Sequence, residues 1–188
     1  MKYLSVVFLC AILSLKISAQ QNAYINYSVP IQKIIDSLKI NKTQVKIYVS
    51  KSKYTLSLMA NGKVLKSYPV VLGTNPVDDK LHEGDRCTPE RNYKIKAKYP
   101  HKSWSKFIWF DYPNEEAWQR FKQAKKEGKI PKNASIGGDV GIHGVPDEAD
   151  YVIDQKQNWT WGCVSLKTHD INELYNIAYV GMPVEIRK

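Results

Sequence analysis

Two runs of alternating residues around Asn61-Gly62 restrict the fold more than any other feature of this chain. In "YTLSLMANGKVLKSYPVVLG", Tyr54, Leu56 and Leu58 share one face of an extended strand, and a second strand returns after the Asn-Gly pair. Both turn residues tolerate positive φ, which a two-residue type I′ hairpin demands. Upstream, Val45, Ile47 and Val49 alternate with Lys46 and Tyr48 in the same period of two. The region reads as an antiparallel meander ending at Gly73, so the chain is expected to be mainly β with a few helices.

The later segments fit that class. "TPERNYKIKAKYP" and "SWSKFIWFDYP" predict two further strands, the second rich in rings and closed by Pro113. "NEEAWQRFKQAKKEGKIP" predicts a helix with Asn114 as its cap, Glu115 and Glu116 in its first turn, lysines at its end and Gly128 as its stop. Trp118, Phe121 and Ala124 fall along one side of it. Ile31, Ile34, Ile35 and Leu38 predict a short leading helix with Ser28 as its cap. "VGIHGV" and "WGCVSL" read as short buried strands, "THDINELYNIAY" as a helix and "MPVEIRK" as the closing strand. The aromatic strand and its helix, 104–131, read either as a solvated connection or as a lid inserted beside a site. In the lid reading Trp104, Trp109, Phe110 and Tyr112 are rings at a cleft rim, with Trp109 and Tyr112 as substrate-binding residues.

The first 19 residues read as a secretory signal peptide. Lys2 is the basic region, Tyr3 to Leu15 the apolar run, and Ser18-Ala19 the small pair before a cut ahead of Gln20. The run is shorter than the ~20 residues a membrane span needs. Cys10 sits inside the run rather than at its end, which argues against a lipoprotein acceptor. The mature protein is expected to be exported, periplasmic or associated with the cell wall. The net charge of the whole chain is +10, and the leader carries Lys2 and Lys16 and no acid, so the mature charge is 10 − 2 = +8. Such a charge suits solubility or an anionic partner such as a wall polymer; export argues against nucleic acid.

Cys87 and Cys163 remain after the leader. In an oxidising compartment they could form one bridge. The surroundings of Cys163 point elsewhere. A thiol attacks as thiolate, and a nearby imidazole is the usual means of producing one. His143 lies 20 positions upstream, and each of the two residues adjoins a glycine. Gly162 permits a tight turn and lets a substrate carbonyl approach the N–H groups around Cys163, as an oxyanion hole requires. Gly144 leaves the imidazole uncrowded, and its carbonyl can accept the second ring proton and fix the tautomer. No C-x-x-C or H-x-x-x-H pattern indicates a metal, and no phosphate loop, dinucleotide fingerprint or G-x-S-x-G is present, so no cofactor is expected.

These residues resemble the L,D-transpeptidase family, whose YkuD-type catalytic domain carries a His followed at a distance by Ser/Thr-x-Gly-Cys. Here His143-Gly144 and Thr160, Gly162 and Cys163 carry that pattern. "GDRCTPERNYKI" is similar to a second marker of the family, Gly-Asp…Thr-Pro-Glu-Gly, with Arg91 in place of the final Gly. Trp161 stands where the family often has a second His, and Ser165 where Asn or Arg is common. The resemblance covers Val45 to Arg187 and implies a YkuD-like β-sandwich, with the helical insertion near an active-site cleft and 20–44 as a lead-in. It implies acyl transfer. Cys163 would form a thioester with the L,D-linked third residue of a peptidoglycan stem tetrapeptide and release D-Ala. His143 would serve as base, with Thr160, Trp161, Gly162 and Ser165 around the substrate. The acceptor would be an amine of another stem, an envelope protein, a free D-amino acid, or water. A hydrolase on the same fold and a non-catalytic wall-binding module in which Cys163 is bridged to Cys87 remain as alternatives.

Overall fold

The structure is a computed structural model that describes residues 24–188. The expected signal peptide lies outside the described residues. Among these, no helix is long and apolar enough to cross a membrane.

Helix α1 (Ile31–Ser37) and a 3-10 turn (Lys42–Gln44) lead into β1 (Lys46–Ser50), β2 (Thr55–Ala60) and β3 (Lys63–Pro69). Strands β4 (Arg91–His101) and β5 (Ser105–Phe110) follow, then α2 (Glu115–Lys126), β6 (Gly141–His143), α3 (Tyr151–Asp154), β7 (Val164–Ser165), α4 (Thr168–Ile177) and β8 (Pro183–Arg187). The fold is mainly β, as expected. Asn61 and Gly62 have φ of 51° and 75°, the left-handed pair a type I′ turn needs.

The strand order is β3-β2-β1-β8-β4-β5-β6-β7. The closing strand β8 enters the middle, parallel to β1 and antiparallel to β4. Strand β4 joins two halves: Arg91 to Lys94 pair with β8, and Ile95 to His101 pair with β5. Val71 then pairs with Ser165, exchanging N–H···O bonds of 3.0 and 2.8 Å, so the chain just after β3 touches the far edge at β7. This closure brings the hairpin's exit next to the Cys163 segment. The core runs through both halves, with Ile47, Leu56, Leu58, Ile95, Ile108, Phe110, Ile142 and Val164 buried together with Ile171, Leu174 and Ile177 of α4. Each such side chain contributes roughly 1.5–3 kcal/mol on burial.

Two expectations are corrected at this level. Helix α1 is not capped by Ser28: Pro30 occupies the cap position, and the Ile31 N–H donates to the Glu173 carboxylate at 2.8 Å. A carboxylate from α4 therefore does in three dimensions what a local side chain was expected to do. Most of the 104–131 segment is frame rather than lid: Phe110 is fully buried, and only Trp104 and Phe107 of its residues line the cavity described below. Strand β5 is an interior strand between β4 and β6, and α2 buries Ala117, Phe121 and Ala124 in the main core. Asn114 caps α2 as expected, accepting from the Ala117 N–H at 3.0 Å. Trp118, however, is exposed, because the buried stripe follows positions i, i+4 and i+7.

Candidate active site

The hairpin closure and the β5-β6-β7 ladder surround a cavity of about 840 Å³. Its lining includes His143, Thr160, Trp161 and Cys163. His143 ends β6, pairing with Phe107 on one side and Ser165 on the other, and β7 begins one residue after Cys163. Sheet register therefore brings together two residues 20 positions apart in sequence.

His143 is 2% exposed. Its Nδ1 lies 2.6 Å from the Gly144 carbonyl. A carbonyl can only accept, so Nδ1 carries the proton and Nε2 is the free base. The imidazole stacks on Trp104 at 4.3 Å, lies 5.8 Å from the Phe107 ring, and meets the edge of Trp159 at 5.3 Å. Burial among these rings lowers its pKa to about 4; the Gly144 bond opposes the shift and nearby His101 adds to it. Gly144 is required by close approach. A Cβ there would sit 2.6 Å from the Trp104 carbonyl, which accepts the Gly144 N–H at 3.1 Å, and 2.9 Å from Ile171.

Cys163 is half-buried, and its Sγ donates to the Asp139 carbonyl at 3.5 Å. Burial pushes the thiol up to about 11, opposed by a backbone hydrogen bond from Gly141 and by the charge of Lys80. With these shifts thiol and imidazole are both neutral at neutral pH. The loop before Cys163 is tied by Thr160, whose Oγ1 donates to the Cys163 carbonyl at 2.7 Å and accepts the Gly162 N–H at 3.2 Å. Gly162 has φ of 137°, and a Cβ there would lie 2.7 Å from the Cys87 carbonyl.

The other expected site residues separate. Trp161 is 75% exposed on the cavity rim, with the Arg86 guanidinium 4.0 Å above its ring. Ser165 is fully buried, so it does not face substrate; its Oγ donates to the Gly144 carbonyl at 3.2 Å, the same atom that orients His143. Trp109 and Tyr112 are not among the cavity-lining residues. Tyr112 is buried and donates to the Ile136 carbonyl at 3.2 Å, while Lys96 lies over the Trp109 ring at 4.3 Å. Both rings serve the frame for the reason given for 104–131. Cys87 is a buried free thiol donating to the Asp85 carbonyl at 3.3 Å, and burial raises it to about 11.

Several lining residues went unnoticed in the sequence, Trp159, His101, Asp139, Arg86 and Lys80, whereas Trp104, read there as one of the rings at a cleft rim, does line the cavity. Lys80 is buried, with its ammonium 2.9 Å from Asp85 and 3.2 Å from the His82 carbonyl. The Asp85 carboxylate also accepts the N–H groups of Leu81, His82 and Cys87. The "GDRCTP" segment was the available signal, read only as a marker and not as the cavity's polar wall. No group of three or more His, Cys, Asp or Glu among the described residues is placed to hold a metal ion.

A family model described as the L,D-transpeptidase catalytic domain, YkuD, matches residues 44–186. No curated protein sequence matches the chain. Among solved structures, the helical cell shape determining protein Pgp2 from Campylobacter jejuni is 16% identical with a TM-score of 0.56, covering 84% of this chain and 55% of its own. Bd1075 from Bdellovibrio bacteriovorus is 21% identical with a TM-score of 0.52, covering 77% and 48%. L,D-transpeptidase 3 from Mycobacterium tuberculosis is 15% identical with a TM-score of 0.51, covering 77% and 61%. These likenesses concern the fold, and the chain spans about half to three-fifths of the length of those structures.

Proposed function

Because the chain belongs to the YkuD family of L,D-transpeptidase catalytic domains, we propose that it is a cysteine acyltransferase acting on peptidoglycan stem peptides outside the cytoplasm, with residues 1–19 as its export signal. One observation carries the reading. His143 is held by Gly144 in the tautomer that leaves Nε2 unprotonated, in the same cavity as Cys163.

In this reading Sγ of Cys163 attacks the carbonyl carbon of the L,D-linked third residue of a stem tetrapeptide. As the S–C bond forms, the thiol proton passes to Nε2 of His143. Both groups are neutral beforehand, so bond formation and proton transfer occur together, as general-base catalysis allows. The Gly162 N–H is engaged by Thr160, which leaves the N–H of Cys163 for the developing oxyanion. The C–N bond then breaks, and His143 returns its proton to the departing amine of D-Ala. An acceptor amine attacks the thioester, its proton passes through His143 to the leaving sulfur, and the free thiol is restored. A stem amine, an envelope-protein amine or a free D-amino acid completes transfer; water completes hydrolysis.

The test is mass spectrometry of muropeptides incubated with the protein and with Cys163→Ser and His143→Gln. Loss of the terminal residue by the wild type only is expected. Cross-linked dimers identify an amine acceptor, and free tripeptide stems identify water. Unchanged muropeptides with a folded wild-type protein, together with a thiol titration that finds Cys87 and Cys163 bridged, would favour the non-catalytic binding module instead.

A further inference from the structure

The four arginines of the described chain differ in their partners. Arg91 lies 3.2 Å from Glu116, Arg120 2.6 Å from Asp79 and Arg187 3.2 Å from Glu185. Arg86 has no carboxylate partner among the described residues, and it is the arginine that lines the catalytic cavity. Its guanidinium lies on the face of Trp161, a ring left three-quarters exposed. An indole so placed does not serve the core. It holds the guanidinium over its face, where the cation's N–H donors remain available to an anion.

The support beneath this pair is rigid. Arg86 has φ of 62°, and its carbonyl accepts the Asn75 N–H at 3.1 Å. That carbonyl fits only because residue 73 is glycine: a Cβ there would stand 2.1 Å away. The Cys87 carbonyl, next in the chain, approaches Gly162 as closely as noted above. The Arg86 loop and the Cys163 loop are thereby locked to each other. Of the other charged residues lining the cavity, Lys80 pairs with Asp85 and the Glu83 carboxylate accepts from Ser135, while Asp139 is an exposed carboxylate on the same lining.

We propose that Arg86, held over the Trp161 ring, binds the free C-terminal carboxylate of the donor's leaving residue, so that the site selects stems ending one residue beyond the scissile bond. The proposal rests on the stem-peptide reading and names the group that sets its donor length. Trp161 is two residues from Cys163, so their Cα atoms are at most about 7 Å apart, and a carboxylate one residue past the scissile carbonyl lies within a comparable reach. A longer or amidated stem places a neutral amide there, which forms no bidentate charged pair with the guanidinium.

The test uses binding, so that it does not depend on turnover. Cys163→Ala protein is titrated calorimetrically with a tetrapeptide stem as its C-terminal acid and as its C-terminal amide. The acid is expected to bind about tenfold or more tightly, the range of a charged hydrogen bond. Adding Arg86→Gln should bring the acid down to the affinity of the amide and leave the amide unchanged. Arg86→Lys, which keeps the charge without the fork, should lose most of the preference, and it carries the test if the Gln variant fails to fold. A preference for the acid that persists undiminished in either variant overturns the proposal while leaving the stem-peptide reading intact. So does equal binding of both forms by the Cys163→Ala protein. Binding of neither form overturns both.

Discussion

On one side of the cavity, His143 lies among the rings of Trp104, Phe107 and Trp159, with its Nδ1 donating to the Gly144 carbonyl. On the other, Cys163 follows a loop fixed by Thr160, by the close approach of the Cys87 carbonyl to Gly162, and by the Lys80–Asp85 pair. The first wall is made of side chains and is dry. The second is made of backbone and charge. A dry wall keeps the imidazole neutral and therefore able to accept a proton at neutral pH. A backbone wall places the nucleophile without dependence on rotamers, and leaves its charges to face a polar substrate. The two walls should fail in different ways when perturbed.

The largest effect is expected at Gly162. Gly162→Ala must push against the Cys87 carbonyl at a φ that side chains rarely adopt. Strain of roughly 1–3 kcal/mol should lower the melting temperature. Turnover of muropeptides should fall by about a hundredfold, since misplacement of about 1 Å costs that much. The His143 titration, followed by NMR, should not move. Turnover within threefold of wild type would show that the backbone wall yields and does not position Cys163.

Trp104→Ala perturbs the other wall and should cost less, about tenfold in turnover. Water admitted beside the ring should move the His143 pKa up from about 4 toward the ordinary value near 6.5. If that titration stays put, burial by Trp104 is not what holds the imidazole neutral, and the contrast between the walls weakens.

How much of each wall was legible in the sequence follows from how it is built. Cys163, Gly162 and Thr160 act through local backbone geometry, so a short string of residues was enough to find them. The hairpin around Asn61-Gly62 was legible for the same reason. The Gly144 carbonyl's role also came from the next residue in the chain. The aromatic wall is assembled across strands: Phe107 meets His143 only through the β5–β6 register, and Trp159 arrives from a distant loop. Nothing local marks those rings. The same lack of local signal made Trp109 and Tyr112 look like substrate contacts, although both lie on the frame and Tyr112 is buried in the core. Ser165 was placed beside the substrate by the family resemblance alone, whereas the Val71 pairing buries it.

The dry wall should also appear in acid stability. His143 has a folded pKa near 4 against an unfolded value near 6.5. Between these values the unfolded chain binds a proton that the folded protein refuses. Stability is therefore lost as pH falls from about 6.5 to about 4, and this group adds no further loss below that. The contribution is on the order of 3 kcal/mol. Other groups also contribute to acid sensitivity, among them Asp170, whose carboxyl burial pushes up. The informative quantity is thus the difference in denaturant midpoint between wild type and His143→Gln across that range. It should narrow as the pH falls, and a constant difference would place the imidazole in contact with water.

The smallest effect is expected at Ser165, where the two walls meet. Its hydroxyl bonds the Gly144 carbonyl at 3.2 Å, while the imidazole donates to the same oxygen at 2.6 Å. A carbonyl has two lone pairs, so the two donors do not compete. Ser165→Ala removes the longer bond and leaves the shorter one, which sets the tautomer. The hydroxyl and its partner are both buried, but the carbonyl keeps the imidazole, so no orphaned acceptor results. The cost should be about 1 kcal/mol of stability, with turnover within about threefold of wild type and the His143 titration unchanged. A much larger fall in turnover, with the fold intact, would mean that the carbonyl needs both donors to stay in place. The orientation of the base would then depend on β7, the strand that also carries the nucleophile's loop, and the two walls would be one coupled unit.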